Sequence, residues 1–484
     1  VRARVAHLAL AASGWLGGCS LAPHYETPST APPPAAYREL GEWKQAQPAD
    51  AAARGPWWSI FGDPTLDALE NRVSASNQNI KAALARLEEA RAQTRIARAA
   101  YFPTVTANSS ATRARESVNS PTYNTLHPGA FNDFQLEADV SYEFDVFGRV
   151  RNSVAAARAS QQASAADLAT LDLSTHAELA MDYFTLRSDD AQANLLDHTV
   201  ADYAQALQLT ENLYNGGAAP LSDLEQARAQ LETAKTQAAD IRLSRAQTEH
   251  AIAVLLGEQA SSFHIEPTPL QADIAPPAVD PGLPSALLER RPDVASAERL
   301  VAAANARIGV ARAAYFPVFS LAAAAGFEST MASNWISAPS RLWSLGPSGV
   351  LTLFDGGLHR AQSAYAHAVY DEQVADYRGT VLGAYQEVED NLAALRELQK
   401  ESVSEAAAVT ATQSALQQAQ YRYQGGIVTY LEVVTEENAA LSAELSAASI
   451  QLRRLNASVL LVKALGGRWE NPLAASTRTA DQPP

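Results

Sequence analysis

The feature that most constrains the fold is an internal duplication. Ala97-Arg98-Ala99-Ala100-Tyr101-Phe102-Pro103 recurs as Ala311-Arg312-Ala313-Ala314-Tyr315-Phe316-Pro317, an offset of 311 − 97 = 214 residues. Other landmarks follow in the same order. Phe144-Asp145 matches Phe354-Asp355, and Tyr214-Asn215-Gly216-Gly217 matches Tyr423-Gln424-Gly425-Gly426. The period is far longer than the roughly 20–50 residues of solenoid repeats, so the chain carries two copies of one large structural unit. Each copy reads alike. A helical run ends at Tyr-Phe-Pro, because proline disfavours helix at the residue before it. Two strand-like pieces follow, then a very long helix, a Gly-Gly turn and a second long helix.

The strand signal is strongest at 133–145. Phe134, Leu136, Ala138, Val140, Tyr142 and Phe144 alternate with Asp133, Gln135, Glu137, Asp139, Ser141, Glu143 and Asp145, a period of two. Such alternation suits a half-buried strand of a soluble sheet. The acidic face, with Asp133, Glu137, Asp139 and Glu143, also suits a water-filled lumen with the apolar face toward lipid. In the second copy Phe319, Leu321, Ala323, Ala325 and Phe327 share one face, and Trp343, Leu345, Leu351 and Leu353 share another. The strands are expected at about 103–114, 132–145, 316–328 and 345–355, the first being the most weakly patterned.

Long helices are expected at about 148–214, 220–256, 357–424 and 430–465. The first has no proline and no internal glycine, and at ~1.5 Å per residue it would span roughly 100 Å. Leu196, Val200, Tyr203, Leu207, Thr210 and Tyr214 step by fours and threes. So do Val381, Tyr385, Val388, Leu392 and Leu395, and Leu441, Leu445, Ala448, Leu452, Leu455, Val459 and Val462. These are coiled-coil spacings.

The N-terminus reads as an address. Arg2 and Arg4 precede an apolar stretch from Val5 to Leu16, then Leu16-Gly17-Gly18-Cys19. Residues 1–18 read as a signal peptide. Cys19, the single cysteine of the chain, stands where a lipobox places the lipidated residue; the alternative is a signal peptide with an incidental cysteine. Acyl chains would anchor the protein without spanning, at ~0.8 kcal/mol per buried CH2. Six prolines between residues 20 and 50 make 19–50 an extended, lipidated tether.

Composition excludes several classes. Lys and Arg total 37 against 53 Asp and Glu, a net charge of −16, which argues against nucleic acid as a partner. One cysteine permits neither an intrachain disulfide nor a cysteine-based metal cage. Outside the N-terminus no apolar run approaches the ~18 residues of a transmembrane helix. The nine histidines lack His-Glu-x-x-His spacing; His359 and His367 are expected to face solvent. Gly346-Pro347-Ser348-Gly349 lacks nucleophile-elbow spacing. No catalytic residue, cofactor site or metal site is indicated, so the chain reads as a non-enzyme.

Four strands per chain cannot close a barrel. Two chains give about eight strands, whose interior side chains fill, whereas three chains give twelve and permit an open lumen. The four-strand contribution with its acidic face therefore argues for a trimer or larger of a mostly α, mixed α/β membrane protein, whose roughly 100 Å helices would extend the lumen well beyond the ~30 Å core of the bilayer. The chain divides into a first repeat at 51–256, a second at 257–465 and a tail at 466–484.

Further residues carry a resemblance. Cys19-Ser20-Leu21-Ala22-Pro23 with Tyr25, Trp57-Trp58 through Phe61 and Asp63-Pro64, and Phe144-Asp145-Val146-Phe147-Gly148-Arg149 come first. Glu289-Arg290-Arg291-Pro292-Asp293-Val294, Leu353-Phe354-Asp355-Gly356-Gly357, and Gly466-Gly467 with Trp469 follow in order. Together they resemble the TolC family of outer-membrane channels, in its lipoprotein efflux branch. The resemblance covers nearly the whole chain. It implies a homotrimer in outer-membrane lipid, a twelve-stranded outer-membrane β-barrel (four strands per chain) continued by a long, coiled-coil-like α-helical periplasmic tunnel, with an equatorial region near 51–75, 257–292 and 466–484. It also implies docking to a periplasmic adaptor (a membrane fusion protein) and coupling to an inner-membrane efflux pump. Ser20 after the cysteine resembles an outer-membrane sorting signal.

The Gly-Gly turns are either plain interhelical turns or, by the resemblance, the periplasmic tips that meet the adaptor. The tip residues would be Tyr214, Gly216, Gly217, Ala219, Pro220, Leu221, Tyr423, Gly425, Gly426 and Val428. Asp223 and Glu432 each lie nine residues past the tip tyrosine and read either as helix N-terminal charges or as acids ringing a constriction. Glu432 matches the family's constriction acid. The second acidic position is Thr435 here, with Glu436 adjacent. Tyr423 matches a gate tyrosine and Ser222 and Asp223 its acceptors, while the gate arginine is replaced by Val428. The expected function is an efflux exit channel for small molecules and drugs. The alternatives are an exit duct for protein (type I) secretion and a non-conducting envelope lipoprotein.

Overall fold

A computed structural model describes residues 20–30, 56–121, 129–270, 276 and 291–467. Cys19, the signal segment, most of the 19–50 stretch and the 468–484 tail lie outside the described residues. The described elements repeat with fixed lengths. In the first copy, after the short helix α1 (Pro64–Ser76), come α2 (Gln78–Ala99), strands β1 (Thr104–Arg115) and β2 (Ala130–Phe144), and the long helices α3 (Arg149–Asn215) and α4 (Leu221–Leu255). The second copy gives α5 (Pro292–Ala313), β3 (Val318–Ser329), β4 (Arg341–Val350), α6 (Leu358–Gln424) and α7 (Tyr430–Ala464). The paired helices have equal lengths: 22 residues for α2 and α5, 67 for α3 and α6, and 35 for α4 and α7. The offset is 214 from α2 to α5 (292 − 78) and 209 from α3 to α6 (358 − 149). The five-residue difference falls between the start of the first strand and the start of the long helix.

The duplication does not make two side-by-side domains. One compact unit draws on Arg86–Ser164 and Ser296–Tyr377 with the N-terminal segment up to Ser29. The other draws on Thr30–Ala85, Ala165–Ala295 and Arg378–Pro484. Each unit takes pieces of both copies, so the division at 256/257 marks the repeat and not a boundary of compactness. The reason is length: a 67-residue helix belongs to both units.

In the first unit the four strands form one antiparallel sheet in the order β1-β2-β3-β4. The register carries the two faces of β2 across the sheet. Asp139 lies opposite Thr106 and Ala324, and Glu143 lies opposite Ser320, which in turn faces Ser348. On the other face Phe144 pairs Phe319 and Leu136 pairs Phe327. Gly326 is required there: a Cβ on it would sit 2.1 Å from the Leu136 carbonyl oxygen. The fourth strand differs from expectation. It runs Arg341–Val350 rather than 345–355, because β3 begins at Val318, the partner of Val350. Pro317 precedes it and offers no N–H, so residues 351–355 have no ladder within the chain.

The described part of the tether also differs. Residues 20–29 are extended but docked, not free. Ser20 Oγ donates to Asn152 Oδ1 at 3.1 Å, Asn305 Nδ2 donates to the Pro23 carbonyl at 2.9 Å, and Tyr25 Oη donates to Glu298 Oε1 at 2.6 Å. A Cβ on Gly309 would meet Ala22 Cβ and Asn152 Nδ2, each at 2.6 Å. The strap thus lies where only glycine leaves room.

The second unit holds a large core among the described residues. Leu66, Leu69 and Val73 of α1 pack with Leu179, Tyr183, Phe184 and Leu186 of α3, Ile252 and Leu255 of α4, and Leu455 and Val459 of α7. Each fully buried aliphatic side chain contributes ~1.5–3 kcal/mol. The heptad residues are buried or half-buried except Tyr214, at the end of its helix, which is exposed. Leu196 is buried with Ala238 and Leu441, and Tyr203 with Leu231 and Ala234.

Candidate functional site: the helix-hairpin tips

The two Gly-Gly turns fold identically. Gly217 has φ +71° and Gly426 φ +68°, a left-handed backbone that L side chains resist. At the first tip Gly217 N–H donates to the Tyr214 carbonyl at 2.9 Å and Ala218 N–H to the Leu213 carbonyl at 2.8 Å. At the second, Gly426 N–H donates to Tyr423 at 2.9 Å and Ile427 N–H to Arg422 at 2.9 Å. These are paired 5→2 and 6→1 bonds of a Schellman cap. Pro220 and Thr429 then start the return helices with the same extended backbone. Tyr214, Gly216, Gly217, Pro220 and Leu221 are exposed, as are Gly425 and Gly426; Ala219, Tyr423 and Val428 are half-buried.

The structure brings the two tips together through Tyr423. Its ring lies 5.5 Å from that of Tyr430, within a small core of Ala227, Ala419, Val433 and Val434. Burial raises its phenol, with Thr210 hydrogen-bonded to it and Asp223 near enough to act on its charge. Tyr214, the repeat equivalent (423 − 209), is instead exposed, because Tyr430 is replaced at its equivalent by Leu221.

The two acids diverge in surroundings. Glu432 is ion-paired with Arg422. Asp223 accepts a hydrogen bond from Ser222 Oγ at 3.2 Å, and the position equivalent to Arg422 is Leu213 (422 − 209). Glu436 is half-buried. The adjacent Glu437 is the more perturbed: burial, with Asp202 adding to it, raises its carboxyl to about 7. Sequence reasoning misses Glu437, since nothing local distinguishes it from Glu436; its signal is its position on the packed stripe beside Val433, Val434 and Tyr430.

On the sheet, Asp133, Glu137, Asp139 and Glu143 share one face by register. Asn108 Nδ2 donates to Asp139 Oδ2 at 2.6 Å, and Arg149 at the head of α3 pairs with Glu143. Asp145 then receives the Val150 and Arg151 N–H groups at 2.8 Å each. This is why Phe-Asp recurs at both strand-to-helix junctions. At the second, Asp355 receives Gly357 and His359 N–H at 2.8 Å each, and these backbone bonds hold its carboxyl below the usual range. His359, expected to face solvent, is paired with Asp355 at 2.5 Å.

A buried cluster in the second unit has no signature in the sequence. His176 Nδ1 lies 2.5 Å from Glu70 Oε2, its Nε2 lies 2.9 Å from Ser74 Oγ, and Asp172 is 3.6 Å away. Trp58 stacks on the imidazole at 4.5 Å, which accounts for one half of the Trp57-Trp58 pair. Burial alone would lower His176, but the bonds to Asp172 and Glu70 outweigh it and raise it to about 9. Arg291 is a second buried junction, 7% exposed. It donates to both Asp293 carboxylate oxygens at 3.0 and 2.6 Å, to Glu387 Oε2 at 2.6 Å and to the Ala464 carbonyl at 3.1 Å. The Arg-Pro-Asp motif is thus a staple between α5, α6 and α7.

One chain thus joins a four-stranded antiparallel sheet, with the β2 carboxylates on one face, to paired 67- and 35-residue helices. The family model described as outer membrane efflux protein matches residues 69–258 and 283–467, and the chain belongs to that family. The toluene efflux pump outer membrane protein TtgC of Pseudomonas putida is 35% identical over 456 residues, covering 94% of this chain and 93% of that one. The antibiotic efflux pump outer membrane protein ArpC, also of Pseudomonas putida, is equally similar, with the same identity and coverage. The solved outer-membrane channel OprN superposes with a TM-score of 0.84 at 31% identity, over 94% of this chain and all of that one. The fold class is that of a homotrimeric twelve-stranded outer-membrane barrel with a helical tunnel, and the protein is an outer-membrane efflux channel.

Proposed function

We propose that this channel is the exit duct of a tripartite efflux system, with an inner-membrane pump supplying energy and a periplasmic adaptor meeting the two hairpin tips. The observation that carries the reading is the pair of matched tips. Two Schellman turns of identical geometry present exposed Gly-Gly loops, while Tyr423 ties the second tip to Thr210 of the first. The cargo class is small molecules. Relatives of equal identity are named for toluene and for antibiotics, so cargo choice is assigned to the pump and not to this chain. The duct itself performs no chemistry and needs no cofactor beyond the acyl chains proposed on Cys19.

Asp133, Glu137, Asp139 and Glu143 line the barrel lumen in this reading, and the tip acids set ion preference at the constriction. Asp223 carries the uncompensated charge, because Arg422 neutralises Glu432. Planar-bilayer recording of purified trimer tests this. The wild type should show discrete, cation-preferring steps. Asp223→Asn should reduce cation preference more than Glu432→Gln, and Arg422→Gln should increase it. Equal effects of the two acid variants would remove the assignment to Asp223, and the absence of any current from an opened tip would remove the duct.

A further inference from the structure

The ladders sort the charges of the sheet by face. Directly opposed residues lie on one face, so the pairs carry a single phase across all four strands. Every acid of the strands falls on the polar phase: Asp133, Glu137, Asp139 and Glu143 of β2, and Glu328 of β3, which lies opposite Gln135. Every arginine of the strands falls on the apolar phase. Arg113 lies opposite Asn132 and Arg115 opposite Ala130, in phase with Phe134 and Leu136, and Arg341 lies opposite Phe327. We propose that Arg113, Arg115 and Arg341 form a binding surface for the phosphate groups of an anionic glycolipid in the outer leaflet of the outer membrane.

The three arginines share one end of the sheet. Arg113 and Arg115 close β1 and Arg341 opens β4, at the end away from the junctions with α3 and α6. The helical tunnel is periplasmic, so this end faces the exterior. Between Phe144 and Phe134 the lipid-facing phase of β2 carries no charge. That interval of 144 − 134 = 10 residues, at ~3.4 Å each and a tilt of about 40°, rises roughly 26 Å, the height of the apolar band of such barrels. Arg113 faces Asn132, the next residue of that phase, and so stands just beyond the band. An arginine on the lipid face is costly at the midplane and nearly neutral at the boundary. At the helix end the same phase carries the Phe144–Phe319 pair and no cation. The charge is therefore asymmetric across the bilayer.

These cations are not spent on the protein. All three side chains are exposed, and among the described residues none of the three guanidinium groups has an ion-pair or hydrogen-bond partner. Guanidinium groups hold phosphate by bidentate, charge-assisted hydrogen bonds. The apolar surroundings select a lipid as the source of that phosphate. Trp343, 78% exposed, and Leu345, 64% exposed, follow Arg341 on the same phase. Trp335, in the connection between β3 and β4, rests on Phe134 of that phase, with ring centroids 5.6 Å apart. Tryptophan at this level suits the headgroup region. A headgroup phosphate with acyl chains beneath it satisfies the arginines and the apolar band together, whereas free phosphate satisfies only the arginines.

Native mass spectrometry of the purified trimer in a non-ionic detergent tests the proposal. The probe is lipid A with both phosphates, compared with the same lipid stripped of phosphate and with phosphatidylcholine. The wild type should retain the phosphorylated lipid at least several-fold better than either. R113Q, R115Q and R341Q should each weaken retention about fivefold, the share of one surface arginine in headgroup attraction, with trimer mass and bilayer conductance unchanged. Wild-type retention by the triple variant would overturn the site. T112R/R113Q keeps the net charge but moves the cation to the polar phase, opposite Asp133; wild-type retention there would overturn the assignment to the lipid-facing side. Two further arms need no variant. Equal retention of the phosphate-free lipid by the wild type would sink phosphate recognition. Full displacement by millimolar inorganic phosphate would show a site for the free ion instead of a membrane surface. Each of these failures, in protein that conducts in a bilayer, leaves the channel reading intact.

Discussion

At the residue scale, the buried His176–Glu70 pair makes stability depend on pH in a defined direction. His176 is raised from 6.5 to about 9. Its stabilisation is fully present below pH about 6.5 and is lost as pH rises through about 9. Burial raises Glu70 to about 7 despite the opposing bond to His176, so the carboxyl acts in the same direction over lower pH. Thermal melts should therefore show a lower Tm at pH 9 than at pH 6. His176→Gln should cost ~3–5 kcal/mol, since it leaves Glu70 buried without its cation, and should flatten the melt profile between pH 6.5 and 9. A variant whose profile keeps the wild-type slope would exclude His176 as its source. None of this is legible in the sequence: Glu70, Asp172 and His176 are ordinary helix residues until α1 is laid against α3. Arg291 is legible as a marker in the Arg-Pro-Asp motif, yet its role as a three-helix staple is not, because Glu387 and the Ala464 carbonyl lie 96 and 173 residues away.

At the element scale, the period-two and heptad patterns locate the strands and helices because burial on one face leaves a direct trace in residue type. The weakly patterned β1 acquires its faces only from the register, where Asn108 and Thr106 fall beside the carboxylates of β2. The end of the fourth strand departs from its pattern for a related reason. Pattern reports which residues can form a strand, whereas the ladder in one chain ends where the partner ends. The docked strap is the other departure. Prolines exclude helix, but they do not say whether the extended chain is free, and the Asn152 and Asn305 contacts come from far along the sequence. Gly326 gives the sharpest element-scale prediction. Gly326→Val should prevent β2 and β3 from closing, since its Cβ would collide with the Leu136 carbonyl. Heat-modifiable trimer should then be absent from membranes on unheated gels, while Gly346→Val, with nothing within 4 Å of its Cβ, should assemble. Equal assembly of the two would refute the steric account.

At the scale of the whole molecule, the equal helix lengths are a constraint on the two hairpins together. Removing one heptad from α3 and one from α4 alone should separate Tyr423 from Thr210 and lower Tm. Removing the matching heptads from α6 and α7 as well should restore most of that loss, because the heptad phase and the meeting of the tips are both kept. A melt in which the matched deletion is no more stable than the single one would show that the hairpins do not register against each other.

The five-residue difference between the copies has a practical consequence. The three paired helices are each held to the length of the counterpart, and the intervals from Thr104 to Arg149 and from Val318 to Leu358 absorb all of the drift between them. The connections inside them, after β1 and after β3, are where foreign sequence can be spliced in without disturbing the frame. An epitope placed there would label the cell exterior in living bacteria, and surface labelling of intact cells would read out directly which end of the sheet faces the medium.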